Sequence, residues 1–142
     1  MRKSFKKCLV AISAVLSLNL CSIASVVNAA SPVYQYNTGY GTLKGSINTF
    51  RNEYNATTIR FQTETTSVAP KLTISGSVVD YVTGYTIGDT GVLERSNIKS
   101  FTYDIRLVNY VNHAASAFGA HQALQADGSG WVVYTGVSDF KI

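Results

Sequence analysis

Beyond residue 32, apolar and polar positions alternate with a period of two along much of the chain. The clearest run is Phe101-Thr102-Tyr103-Asp104-Ile105-Arg106-Leu107. On a strand, Phe101, Tyr103, Ile105 and Leu107 share one face, and Thr102, Asp104 and Arg106 the other. Asn55 to Thr66 repeats the pattern, with Ile59 and Phe61 inward and Arg60, Gln62 and Glu64 outward. Leu72, Ile74 and Val78 share a face in the next run, behind Pro70, a residue suited to the first positions of a strand. Trp131-Val132-Val133-Tyr134 is apolar on both faces, as in a buried central strand. Val33-Tyr34-Gln35-Tyr36 reads as an opening edge strand.

Turn signals separate these runs at Asn37-Thr38-Gly39, Gly88-Asp89-Thr90-Gly91 and Asp127-Gly128-Ser129-Gly130. Short alternating runs with turns at this spacing predict an all-β domain, a small antiparallel sandwich or barrel of about 6–8 strands. Two segments carry a mixed signal. Leu43, Ile47, Phe50 and Tyr54 fall at helical intervals, but Gly41, Gly45, Asn48 and Thr49 are poor helix formers, so extended structure with one helical turn is expected. Asn112 to Ala126 is rich in Ala, with Asn112 and Gly128 placed to cap a helix. Gly119 in its middle and the Asp-Gly turn leading into Trp131 favour a strand and hairpin instead.

The first 29 residues read differently. A basic head, Met1 to Lys7, precedes an apolar stretch from Leu9 to Leu20 and a region of small and polar residues from Ser22 to Ala30. This three-part order is that of a secretory signal peptide, a helix in its apolar part, with Val27-Asn28-Ala29 as the cleavage site. An uncleaved anchor fits less well, because Ser13, Ser17, Asn19, Ser22 and Ser25 interrupt the ~20 apolar residues that a spanning helix needs. Leu18-Asn19-Leu20 before Cys21 lacks the small residues of a lipoprotein site. The expected product is a single mature domain, residues 30–142, outside the cell.

That cleavage changes the composition. Of the 12 Lys and Arg residues, Arg2, Lys3, Lys6 and Lys7 leave with the signal, while all 8 acidic residues lie beyond position 30. The mature chain is therefore neutral, and no basic cluster survives as the footprint of a nucleic-acid partner. Cys8 and Cys21 leave as well, so the domain has no disulfide and rests on its core alone. Such usage is commoner in exports from Gram-positive bacteria than in animal secreted modules, which lean on disulfides.

Candidate chemistry is sparse. His113 and His121 are eight positions apart and share a face if the segment is a strand. They make no ligand pair by themselves, and a structural zinc site requires four ligands. Gly128-Ser129-Gly130 lies in a hairpin turn rather than the strand-to-helix elbow of a serine hydrolase. The spacing of the eight carboxylates singles out no catalytic pair for glycoside hydrolysis. Gly39 to Gly45 lacks the order of a phosphate loop. The remaining feature is aromatic: Tyr34, Tyr36 and Tyr40 share strand parity, as do Tyr81 and Tyr85. Such rows serve cross-strand packing, or offer a flat amphipathic surface to sugar rings or a protein. Tyr40, Tyr85 and Trp131 are the candidate binding residues, with His113 and His121 beside them.

Two functions are expected from these features. The first is a secreted, cofactor-free and metal-free β module, not an enzyme, acting by non-covalent contact with an extracellular or cell-surface partner. A bacteriocin- or toxin-like protein is a special case, although the cationic amphipathic stretch usual in membrane-active chains is missing. No nucleic acid and no membrane span after cleavage are expected, and exposed edge strands offer a route to self-association. The alternative is a small secreted hydrolase using His113 or His121 with Asp104 or Asp127.

Overall fold

The computed structural model describes residues 27–28, 32–51, 56–108, 110 and 113–142. The basic head and apolar run of the expected signal, Cys8, Cys21, Glu53, Tyr54 and Asn112 lie outside them. Among the described residues seven strands form one sheet: β1 (Val27–Asn28), β2 (Val33–Thr38), β3 (Gly41–Arg51), β4 (Thr57–Asp80), β5 (Thr86–Leu107), β6 (Ala114–Leu124) and β7 (Gly130–Lys141). No helix occurs among the described residues, so the expected all-β class holds. Every pairing is antiparallel except that of β1, which runs parallel to Thr135–Gly136 of β7.

The architecture follows from one long ribbon folded on itself. β3 pairs with the first half of β4, from Thr57 to Thr65, and β6 with the second half, from Lys71 to Asp80. β5 pairs along both halves. Between them the register shifts from Glu64↔Ser100 to Ala69↔Ile98, inserting three extra residues into β4. Pro70 removes a ladder donor there, and Asn97 in β5 adopts a φ of 53°. Both irregularities belong to bulges that bend a strand sharply.

The bend lays the two halves of the ribbon face to face. The Phe61 ring lies against Gly76, Thr63 donates to the Thr73 carbonyl oxygen at 3.1 Å, and Ile105 lies against Gly88. The sheet curls until it is nearly closed into a barrel, with β2 and β3 brought against β7. Its interior holds Ile47, Ile59, Phe61, Ile74, Val78, Ala115, Ala117 and Ile142 in one cluster. Leu43, Ala69, Leu72, Ala123 and Val133 form another. Each fully buried aliphatic or aromatic side chain contributes about 1.5–3 kcal/mol.

Several expectations change. Residues 57–66 and the run behind Pro70 are two halves of one strand, so Pro70 marks a bend rather than a strand start. Gly88-Asp89-Thr90-Gly91 is no turn between strands but a bulge inside β5, with Gly91 at a φ of 60° and a register shift opposite Ser75–Ser77. The actual β4–β5 turn spans Tyr81 to Tyr85. The segment from Leu43 is strand through Arg51, without a helical turn. Ala114–Leu124 is strand, and its hairpin to Trp131 runs through Asp127-Gly128 as expected.

Candidate functional site

The five sequence candidates fall in three separate places. Tyr40 and Trp131 meet edge to face, ring centroids 5.8 Å apart, and both pack on the Leu43–Leu72–Val133 cluster. The expected shared parity of Tyr34, Tyr36 and Tyr40 fails here. Asn37 adopts a φ of 58° and the β2–β3 register shifts, so the chain rotates and Tyr40 turns inward. Trp131 likewise packs over Gly39, where a β-carbon would come within 2.9 Å of its ring.

Tyr85 and His113 lie near Asp80, at the β4–β5 turn. Asp80 Oδ1 accepts hydrogen bonds from the backbone N–H groups of Val82 (2.9 Å) and Thr83 (2.7 Å) and from the Thr83 hydroxyl (2.9 Å). His113 Nδ1 lies 3.0 Å from Asp80 Oδ2, and the Tyr110 ring meets the imidazole edge to face. Donors from Thr83, then His113, hold the Asp80 carboxyl down at about 2, against an ordinary 3.8. A depressed carboxylate stabilises the fold above its unfolded pKa, and that contribution is lost as pH falls from about 3.8 to about 2. Asp80→Ala is expected to cost about 1–3 kcal/mol by leaving the turn donors unpaired. Asp80→Asn, which keeps the acceptor Oδ1, should cost less; equal urea midpoints for the two variants would contradict this assignment. Tyr85 itself is 76% exposed.

His121 is in the core, 0% exposed. Thr63 spends its one hydroxyl proton on the Thr73 carbonyl, so His121 Nδ1–H donates to Thr63 Oγ1 at 2.9 Å. Nε2 then accepts from the Thr135 hydroxyl at 2.8 Å. Both nitrogens are occupied by a neutral ring, and burial pushes the pKa down from 6.5 to about 3. The two histidines do not converge: eight strand residues at about 3.3 Å each separate them. Asp104 is held instead by a two-bond pair with Arg60, at 2.8 and 2.7 Å, and Asp127 by the Ser129 backbone and hydroxyl in its turn. No group of three potential metal-binding side chains gathers among the described residues.

The sheet's other outer face, over β2, β3 and the first half of β4, carries a site that none of the five candidates marks. Register aligns Tyr34, Lys44, Glu64 and Ser100 in one row across four strands. A cleft of about 390 Å³ opens over this row, lined by Tyr34, Thr42, Lys44, Glu64, Thr65, Thr66, Lys99 and Ser100. The Tyr34 and Tyr36 rings stand beside it, nearly parallel with centroids 6.0 Å apart, and are 45% and 64% exposed. Lys44 Nζ donates to Glu64 Oε2 at 2.6 Å, and Gln62 to Oε1 at 2.7 Å, so both carboxylate oxygens are held. The hydrogen bond to Glu64 raises the Lys44 pKa. Farther along the same face, the Arg60 guanidinium lies 5.4 Å over the Phe50 ring.

This row was hidden in the sequence because it depends on register. Outward parity of Lys44 and Glu64 is readable from their strands, but their 20-residue separation does not say that they pair. No family model matches the chain, and comparisons with curated proteins and with solved structures find no similar protein.

Proposed function

We propose that this chain is an exported, cofactor-free β module that acts outside the cell by non-covalent contact, gripping a glycan of the cell envelope at the Tyr34 cleft. The observation that carries this reading is the exposed Tyr34–Tyr36 pair beside a hydroxyl-rich cleft. Exposed aromatic faces stack on the C–H faces of sugar rings, while hydroxyls and a held ion pair bond to ring substituents. Side chains held in place by strand pairing lose little entropy on binding. The leader supports the compartment, and the absence of a converging nucleophile, base and acid among the described residues favours contact over hydrolysis.

The test is sedimentation of the full chain with washed bacterial cells and with isolated envelope glycan, scoring cell survival in parallel. Tyr34→Ala is expected to weaken retention about tenfold, taking aromatic stacking as worth roughly 1–1.5 kcal/mol. Tyr85→Ala, at the opposite end, is expected to leave it unchanged. Equal retention of the two variants would move the contact surface away from the cleft. Killing of the cells would add the toxin-like role.

A further inference from the structure

Charge accounting inside the cleft narrows the ligand. Of the charged groups lining it, Lys44 and Glu64 neutralise each other at 2.6 Å, and Gln62 takes the second carboxylate oxygen. Lys99 is the third charged group of the lining. It is exposed and makes no ion pair with any described residue, whereas Lys71 and Arg60 are paired to Glu94 and Asp104. The lining therefore carries one uncompensated positive charge.

The fold holds the backbone that carries Lys99. Lys99 lies where β5 bends with β4, next to Asn97 in its left-handed conformation, and its carbonyl accepts the Thr65 hydroxyl at 3.3 Å. Thr66 Oγ1 is tied to the Thr42 backbone N–H at 3.1 Å, which fixes the wall between Lys99 and β3. Tyr34 enters from β2, at the far side of the Lys44–Glu64 pair. A ligand spanning the cleft thus meets an aromatic face at one end, a neutral polar middle and a lone cation at the other.

Resting on the glycan reading above, we propose that the cleft selects an acidic glycan, a pyranose stacked on Tyr34 with an anionic substituent, carboxylate or phosphate, facing Lys99. The ammonium supplies a charge-assisted hydrogen bond, roughly twice as strong as a neutral one. It also makes binding sensitive to salt. A neutral glycan keeps the stacking and loses the ion contact.

The experiment measures retention of the full chain on three immobilised polymers: a polyuronate, a sugar–phosphate polymer and neutral dextran, each at 50 and 300 mM salt. The expected result is binding to at least one acidic polymer, at least tenfold tighter than to dextran and weakened by salt. Lys99→Gln is expected to abolish that preference, and Tyr34→Ala to weaken all binding. Binding to the polyuronate alone identifies carboxylate as the anion, and to the sugar–phosphate polymer alone, phosphate. Equal binding to dextran and the acidic polymers, or an unchanged preference in Lys99→Gln, overturns the acidic assignment but leaves the glycan reading standing. Retention on none of the three, with the chain folded by circular dichroism, overturns both.

Discussion

Acidification from pH 6.5 towards 3 is expected to destabilise the fold steadily, and His121→Gln to flatten that dependence. His121 is neutral in the core, with a pKa near 3 against 6.5 for a solvated ring. Between those values the unfolded chain binds a proton that the native chain refuses, so stability falls as pH falls. The slope approaches about 1.4 kcal/mol per pH unit within the window. The carboxylate contribution of Asp80 sets in only lower, between about 3.8 and 2, so pH 6.5 to 4.5 isolates the histidine. At pH 7 the same variant should cost about 2–4 kcal/mol, since Thr63 and Thr135 lose a well-placed partner and the ring volume is not refilled. Urea unfolding at pH 7.0, 5.5 and 4.5 checks both effects. Parallel pH slopes for wild type and variant would rule out His121 as the origin.

The second large effect concerns the line along which the ribbon folds. A β-carbon on Gly76 would lie 2.5 to 2.7 Å from three atoms of the Phe61 ring, closer than packed atoms come. Phe61 is itself fully buried, between Gly76 and Gly119. Gly76→Ala is therefore expected to destabilise by about 1–3 kcal/mol, and Phe61→Ala by about 3–5 kcal/mol. The two should not add. With the ring gone, the new methyl group enters vacated space, and the double variant should be about 1–2 kcal/mol more stable than the sum predicts. Additivity within about 0.5 kcal/mol in denaturant titrations would show that the two halves of β4 do not meet there.

The same contact shows which parts of the fold were legible in the chain. Of the faces read from alternation, Ile59, Phe61, Leu72, Ile74, Val78, Ile105 and Leu107 are buried, whereas Phe101 is half-buried and Tyr103, on the same expected face, is exposed. Local signals also sufficed for the Asp127-Gly128 hairpin and for reading Ala114–Leu124 as strand despite its alanines. Punctuation was less reliable. Pro70 and Gly88–Gly91 read as breaks between strands, and each proved to be an irregularity inside one, because β5 continues to pair across both. A bulge and a turn recruit the same residues, and only the partner strand tells them apart.

The aromatic and histidine candidates divide along the same boundary. That His113 and His121 share no site follows from where their partners come: Asp80 from 33 residues away, Thr63 from 58. Tyr40 shared strand parity with Tyr34 and Tyr36 in the sequence, and the left-handed Asn37 between them broke it. Tyr34, Lys44, Glu64 and Lys99 gave no motif, since four strands each contribute one side chain.

By itself, the sequence determined the all-β class and most of the inward positions of β4 and β5. Those properties depend on side-chain period, which neighbours along the chain set. The tertiary structure alone decided the fold of β4 on itself, the burial of His121 between two threonines and the cleft beside Tyr34. Each of these needs a register between strands, and register is set by long-range packing: where Phe61 finds Gly76, and Lys44 finds Glu64.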